Sequence, residues 1–226
     1  MERKLLQVQI ALFFKKNLEE PIEKVSLLFL EKLGQPKEKI FPPAFPGLPP
    51  EIPRLILNYD SYRINFSLNR IDIFSSSFDE GTRDILKKIG LLIIDDLKLE
   101  VGRVGFVKTF FKEKCLEDLK HLLNLKIISK IESIKEIGIR INTRVNILGY
   151  ECNNIESIKN GFVNLPREEK EKVFEKREGI IIQRDINTLQ DKLQEYAFSS
   201  KKIIEILDIF NDKSEHFILI NYEREF

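Results

Sequence analysis

The residues that could carry catalysis or bind a metal are few and scattered. His121 and His216 are the two histidines, and neither has a partner nearby in sequence that could position it as a general base. Cys115 and Cys152 lack the CxxC spacing of a metal or redox motif. No Gly-rich phosphate loop and no serine-hydrolase motif occurs. The sequence therefore predicts no catalytic residue, no metal site and no cofactor.

Two aspartates beside arginines in predicted strands are the carboxylate candidates. Asp72 comes two residues after Arg70, and Asp185 directly follows Arg184. Paired carboxylates could serve acid–base chemistry or hold a hard cation. Such residues are more commonly surface charges or members of local salt bridges, and we prefer that interpretation for both.

Polar side chains with directional hydrogen-bonding groups alternate with apolar ones along several predicted strands. Lys and Glu are concentrated instead in predicted helices and loops. A sheet face rich in Arg, Asn and Gln suits binding to a ligand, to bases or to another protein's backbone. The alternative is an ordinary solvated face. The predicted binding residues are Arg63, Asn65, Arg140, Asn142, Arg144, Asn146 and Gln183.

The segment 41–53, FPPAFPGLPPEIP, contains six of the nine prolines, and we call it the proline segment. Proline fixes φ and removes a backbone donor, so the segment is predicted to be extended and to lie outside the central sheet. Its preferred role is a stiff crossover, pinned to the core by partly buried side chains. The alternative is a docking loop, because a stiff segment loses little entropy on binding. The side chains concerned are Phe41, Phe45, Leu48 and Ile52, of which the first three are the docking candidates.

The elements that would position these residues are predicted from hydrophobic periodicity. Residues 1–114 give a first α+β half with the order β-α-β-β-α-β, the order of a ferredoxin-like unit. Its elements are a strand at 5–13, a helix at 22–33, a hairpin at 55–68, a helix at 79–98 and a strand at 103–111.

Residues 115–226 are predicted to form a second α+β half. Its elements are a helix around 116–123, a strand at 137–147, a charged insert at 155–178, a strand at 179–189, a helix from Ser199 to Phe210 and a closing strand. We therefore expect one compact α+β unit. Its sheet would be antiparallel or mixed, with helices mainly on one face, and two ferredoxin-like halves are the preferred form.

The hairpin gives the most detailed local prediction. Its alternating large side chains flank the pair Asp60-Ser61, which predicts a two-residue loop. The alternation changes phase at Asn69-Arg70, which indicates a bulge or the end of the strand. The predicted cross-strand pairs are Tyr59 with Tyr62, Leu57 with Ile64 and Leu55 with Phe66.

Composition limits the classes of partner. Lys and Arg number 37 against 36 Asp and Glu, which argues against a globally basic nucleic-acid-binding protein. No apolar run is long enough to span a membrane, and the first residues lack a cleavage site. We expect a cytoplasmic protein that does not contact a membrane. Its oligomeric state is left open.

Two resemblances add expectations. The tandem β-α-β-β-α-β order resembles, at the level of fold, the RAMP group of CRISPR proteins. That resemblance implies RNA binding, sometimes metal-independent RNA cleavage, and a Gly-rich loop near the C-terminus, whereas the segment 199–217 contains no glycine. The stretches PRLILNYDSYRINF, IGIRIN and IIQRDIN resemble a sporadically distributed bacterial family of unknown function. The second resemblance implies no activity.

The preferred functional hypothesis is a non-enzymatic binding or accessory protein that acts through a polar sheet face or through sheet edges, with another protein as its partner. The alternative is an RNA-binding or RNA-processing protein, suggested by Arg63, Arg140 and Arg144. RNA-reading sheets normally expose aromatic rings, and few are predicted on these polar faces.

Overall fold

The computed structural model describes residues 3–113, 119, 136–167 and 170–216. Within them the chain is an α+β protein, as predicted, with nine strands and three α-helices. The strands are β1 (Lys4–Phe14), β2 (Glu38–Ile40), β3 (Leu55–Asn58), β4 (Tyr62–Phe66), β5 (Arg70–Ser75), β6 (Val101–Lys112), β7 (Gly138–Ile147), β8 (Tyr150–Arg167) and β9 (Lys170–Thr188). The helices are α1 (Ile22–Leu33), α2 (Glu80–Leu91) and α3 (Ser200–Ser214).

All nine strands belong to one sheet in the order β2-β3-β4-β5-β1-β6-β9-β8-β7. Every neighbouring pair is antiparallel. The pairing of β6 with β9 joins the two predicted halves, so polar residues from both can lie on one continuous surface.

The hairpin β3–β4 has the predicted register. Leu57 pairs with Ile64 and Leu55 pairs with Phe66. Across the turn, the Tyr59 N–H donates to the carbonyl of Tyr62 at 2.9 Å, and the two rings stack with centroids 4.4 Å apart. The phase change predicted at Asn69-Arg70 marks the end of a strand: β4 ends at Phe66, the chain turns at 67–69, and β5 begins at Arg70 and pairs back against β4.

Side-chain caps begin two helices where the sequence predicted. The Asp79 carboxylate accepts from the Thr82 N–H at 2.9 Å at the start of α2. The Ser199 hydroxyl accepts from the Lys202 N–H at 3.3 Å at the start of α3. Both satisfy a donor that the first helical turn leaves without a partner. After α2 the chain adds a π-helical turn at Leu92–Asp96, which completes the long helix predicted at 79–98.

The three helices pack against one face of the sheet and form a single hydrophobic core with it. That face consists of alternate strand residues, because side chains point to opposite sides along a strand. Central members from the sheet and helices are Ile10, Leu12, Ile64, Ile73, Phe106, Phe29, Leu86, Ile89, Ile206 and Phe210, all at most 1% exposed. The remaining strand residues lie on the opposite side, which we call the open face.

The range 155–178, predicted as a charged insert, is instead most of the hairpin β8–β9. β9 pairs with β6 only from Ile180 onward, and β7 pairs with β8 only up to Lys159. The hairpin beyond these points is a two-stranded arm with an exposed Phe162 and Phe174. Charged residues suit such an arm, because among the described residues no further strand pairs with it. Of the predicted helix around 116–123 only Leu119 is described, and the predicted closing strand lies outside the described residues.

Candidate binding face of the sheet

The strand register places all seven predicted binding residues on the open face. In an antiparallel sheet, residues directly opposite each other share a face. One row across the sheet runs through Asn65, Asp72, Ala11, Gly105, Asn187, Asn153 and Arg144. The next row begins with Arg63 and ends with Asn142. Gln183 and Arg140 share a third row, and Asn146 lies two residues beyond Arg144 on β7.

The seven residues nevertheless form two separate groups. Arg140, Asn142, Arg144 and Asn146 lie on β7, and Gln183 lies two strands away on β9. Arg63 and Asn65 lie on β4, six strand spacings from β7, which is about 29 Å at 4.8 Å per spacing. All except the half-buried Asn65 are exposed. The open face therefore suits an extended partner better than a small ligand.

A polar cluster around Asp72 lies between the two groups. The Asp72 side chain is only 5% exposed, and one of its oxygens lies 2.8 Å from Nε of Arg70. Its other oxygen accepts from Nε2 of Gln9 at 3.1 Å. Burial raises the pKa of Asp72, opposed by the charge of Arg70 and the hydrogen bond from Gln9. These contacts fit the preferred interpretation of Asp72 as a salt-bridge residue.

A second cluster surrounds Asp185 and Asn187 on β9. The Asn187 amide donates to Asp185 at 2.7 Å, and its oxygen accepts from Arg103 and from Asn153, both at 3.1 Å. Burial raises the pKa of Asp185, with Arg103 opposing the shift. Asp185 has no salt bridge to Arg184, because successive strand residues point to opposite faces.

The two aspartates do not form an acid–base pair. Strands β1 and β6 separate Asp72 from the β9 strand of Asp185, and three strand spacings amount to about 14 Å. Each carboxylate is held by its own neighbours. The polar side chains of these two clusters lie in the middle of the open face, and they already have hydrogen-bond or ion-pair partners there.

Two phenylalanines on the open face were missed by the sequence analysis. The Phe13 ring lies 4.4 Å from the Arg103 guanidinium and 5.7 Å from that of Arg70. The Phe74 ring lies 4.5 Å from the Arg63 guanidinium. The doublet Phe13-Phe14 was the available signal, because adjacent strand residues must point to opposite faces. Arginine stacked on an aromatic face holds both groups in place.

Asp72→Asn should not destabilise the protein at neutral pH, since it removes a carboxylate that burial disfavours. The raised pKa means that the folded state binds this proton more tightly than the unfolded chain. The contribution of Asp72 to stability is therefore fully present below about pH 3.9, the ordinary pKa of this carboxyl group. It falls as pH rises from there through the raised pKa of the folded state. The variant should lose this dependence, which melting temperatures measured across the acid range would reveal.

The matched control is Asp84→Asn, because a hydrogen bond from Lys87 lowers the pKa of the exposed Asp84. The Asp84 carboxylate stabilises the folded state above its lowered pKa, and this stabilisation is lost as pH falls. Asp84→Asn should therefore change the pH dependence of stability in the opposite direction to Asp72→Asn. If Asp72→Asn instead lowers the free energy of unfolding at pH 7 by more than about 1 kcal/mol, the ion pair with Arg70 outweighs the cost of burial.

The proline segment contains turns, so the prediction of a wholly extended backbone is wrong. Pro46 and Gly47 occupy the centre of a turn in which the Leu48 N–H donates to the Phe45 carbonyl at 3.2 Å. Gly47 has φ +84°, the left-handed conformation that this turn requires and that glycine adopts without strain. A second turn joins Pro49 and Ile52.

Contacts with the hairpin hold the proline segment in place. The Leu68 N–H donates to the carbonyl of Pro50 at 2.9 Å, and the Arg54 guanidinium donates to the carbonyl of Leu48 at 3.0 Å. Leu48 is half-buried. The exposed fractions of the other three apolar side chains are 43% for Phe41, 62% for Phe45 and 40% for Ile52. They do not pin the segment to the core, contrary to the crossover interpretation.

The chain was compared with protein-family models and with curated proteins. No protein-family model matches the chain, and no curated protein matches its sequence. The two family resemblances therefore stay predictions. Among the described residues, no cluster of three or more His, Cys, Asp or Glu could hold a metal ion, and no helix there has the length and apolar character to cross a membrane. His216 follows α3, and His121 lies outside those residues.

Proposed function

We propose that the chain is a cytoplasmic binding or accessory protein that acts through its sheet, holds another protein on the open face and catalyses no reaction. The observation that carries this proposal is the group Arg140, Asn142, Arg144 and Gln183. These side chains are exposed on a face that α1, α2 and α3 leave uncovered. The clusters around Asp72 and Asp185 are buried or half-buried and hydrogen-bonded, so they support the surface and leave the exposed groups to make contacts.

The chemistry of the exposed groups indicates the chemistry of the partner. Arginine only donates hydrogen bonds, while Asn and Gln both donate and accept. Arg63 lies at one end of the face and Arg140 and Arg144 lie at the other, whereas Asp72 and Asp185 lie inward and have partners. A complementary surface presents carboxylates and backbone carbonyls across an extended area.

Charge reversal of Arg140 and Arg144 should separate binding from stability. Both side chains are exposed, so the double variant Arg140→Glu/Arg144→Glu should keep the melting temperature of the parent. Affinity for the cellular partner should fall about tenfold or more, because attractive contacts become repulsive. The measurement is calorimetric titration with the partner purified by its association with the parent protein.

The control for that titration is Lys88→Glu, a charge reversal on the exposed side of α2, behind the sheet. It should leave the affinity unchanged. Equal weakening by the control and the double variant would remove the open face as the binding surface.

RNA binding is the second candidate, and Phe13 and Phe74 favour it. They lie on the open face of the neighbouring strands β1 and β5, each beside an arginine. Aromatic rings on a sheet are the usual stacking platform for unpaired bases. We further propose a ferredoxin-like unit in the first half, although not with the predicted strands. The predicted hairpin at 55–68 is β3–β4, whereas the sheet order β4-β5-β1-β6 supports the unit β1-α1-β4-β5-α2-β6. The second half does not support a second ferredoxin-like unit, because its described part consists of three consecutive strands followed by α3.

A filter-binding titration with single- and double-stranded RNA at two salt concentrations tests the RNA candidate. Submicromolar binding that weakens with salt, and that Phe13→Ala reduces, would favour it over a protein partner. The protein-binding proposal expects no RNA binding at low salt.

The exposed side chains of the proline segment support a docking role for Phe41 and Phe45. Because Phe45 is 62% exposed, Phe45→Ala should change the free energy of unfolding by less than about 0.5 kcal/mol. Affinity for the partner should fall, and the same calorimetric titration would measure it. A destabilisation of several kcal/mol with unchanged affinity would restore the crossover interpretation.

A further inference from the structure

The two edges of the sheet differ in their capacity to accept another strand. β2 forms one edge and has only three residues. β7 forms the other edge with ten residues, and among the described residues its one strand partner is β8. In an antiparallel ladder, alternate residues direct their N–H and C=O groups to opposite sides. The outer side of β7 therefore offers a row of backbone donors and acceptors without a strand partner in the described part of the chain, which is the template for strand addition.

The two faces of β7 specify what an added strand should carry. On the open face it exposes Arg140, Asn142, Arg144 and Asn146. On the helix side it has Ile139, Ile141 and Val145, each only half-buried. A neighbouring strand would place one set of alternate residues beside the arginines and the other set beside the apolar row. Charge complementarity then calls for acidic side chains in the first set and apolar side chains in the second.

The same arginines oppose pairing between two copies of β7. An antiparallel pair centred on Asn142 would set Arg140 of each copy directly opposite Arg144 of the other. A pair centred on Thr143 would bring Arg144 of the two copies into diagonal contact, and Arg144 into diagonal contact with Arg140. Like charges opposite one another destabilise a sheet. Edge charges commonly prevent self-association while they permit a complementary partner.

We propose that the outer edge of β7 is a strand-addition site for an extended segment of a partner protein in which acidic residues alternate with apolar ones. This inference rests on the proposed function in that both assume a protein partner. It names the backbone edge, rather than the open face alone, as the point of attachment. The backbone ladder supplies affinity, and Arg140 and Arg144 select the sequence.

A synthetic peptide tests the site without knowledge of the natural partner. The probe is a fluorescein-labelled, capped peptide of alternating glutamate and valine that is long enough to span β7, titrated by fluorescence anisotropy at neutral pH. Three comparisons accompany it: the peptide N-methylated at alternate residues, the peptide with lysine in place of glutamate, and the Arg140→Glu/Arg144→Glu variant. Arg63→Glu is the protein control, because Arg63 shares the open face but lies on β4.

Saturable micromolar binding is expected, with about a tenfold loss for the double variant and no change for Arg63→Glu. The lysine peptide should not bind, and neither should a peptide methylated on the N–H groups that face β7. If every N-methylated form binds with the same affinity as the parent peptide, charge attraction alone accounts for the binding, and the proposal is overturned. No binding at millimolar peptide, or a dimer in solution that β7 variants dissociate, would also overturn it. Loss of binding in Arg63→Glu would assign the peptide to the open face and leave the proposed function standing without the edge site.

Discussion

Replacement of Phe66 by alanine should lower the free energy of unfolding by about 3–5 kcal/mol, the usual cost of removing a fully buried aromatic side chain. Phe66 is 0% exposed. Its ring lies 5.7 Å from that of Phe29 on α1 and 5.8 Å from that of Phe14 on β1. The substitution therefore opens a cavity where β4, β1 and α1 meet. Denaturant unfolding followed by circular dichroism measures the loss.

Phe162→Ala is the matched control for Phe66→Ala, since it makes the same chemical change on the β8–β9 arm, where the side chain is 57% exposed. It should shift the unfolding midpoint only slightly. An unchanged midpoint in Phe66→Ala would contradict the register, because the pairing of Phe66 with Leu55 on β3 and with Ile71 on β5 places its side chain in the core.

Removal of the Glu156 carboxylate should be about as costly as loss of Phe66. Arg184 donates from a terminal nitrogen to Glu156 at 2.6 Å, and the two side chains are 4% and 1% exposed. They lie on the helix side of β9 and β8, and burial lowers the pKa of Arg184 while Glu156 opposes the shift. Glu156→Ala leaves a buried guanidinium without its carboxylate partner, so we expect a loss of about 3–5 kcal/mol by the same denaturant measurement.

Two further variants separate the buried charge from the interaction itself. The double replacement Arg184→Met/Glu156→Leu should recover much of the stability, because it removes both charges together. Glu195→Ala breaks the exposed pair with Lys192 and should shift the unfolding midpoint only slightly. A loss below 1 kcal/mol for Glu156→Ala would mean that water reaches Arg184 in solution.

Local features of the fold could be predicted from the sequence because neighbouring residues determine them. The Asp79 and Ser199 caps and the two-residue turn after Tyr59 each depend on side chains within a few positions. The shared polar face was also predictable, since alternation along each strand assigns residues to faces. The order of the strands was not, and that order separates Arg63 from Arg140 by about 29 Å.

Long-range contacts account for the parts of the site that the sequence did not reveal. Gln9 and Asp72 are 63 residues apart in the chain, and Arg103 and Asn187 are 84 apart. No local pattern pairs such residues, because strand register is decided by the whole sheet. The proline segment was misjudged because apolar side chains were assumed to be buried, whereas Phe45 is held exposed beside the turn at Gly47.

Site-specific photo-crosslinking in living cells tests directly whether a partner protein binds the open face. A photoreactive phenylalanine analogue is placed at Asn142 or Gln183 on the open face, or at Lys88 on α2 behind the sheet; all three side chains are exposed. We expect one crosslinked product of the same mass from Asn142 and Gln183, none from Lys88, and loss of the product in the Arg140→Glu/Arg144→Glu background. Crosslinking from Lys88 alone, or equally from all three positions, would contradict binding on the open face.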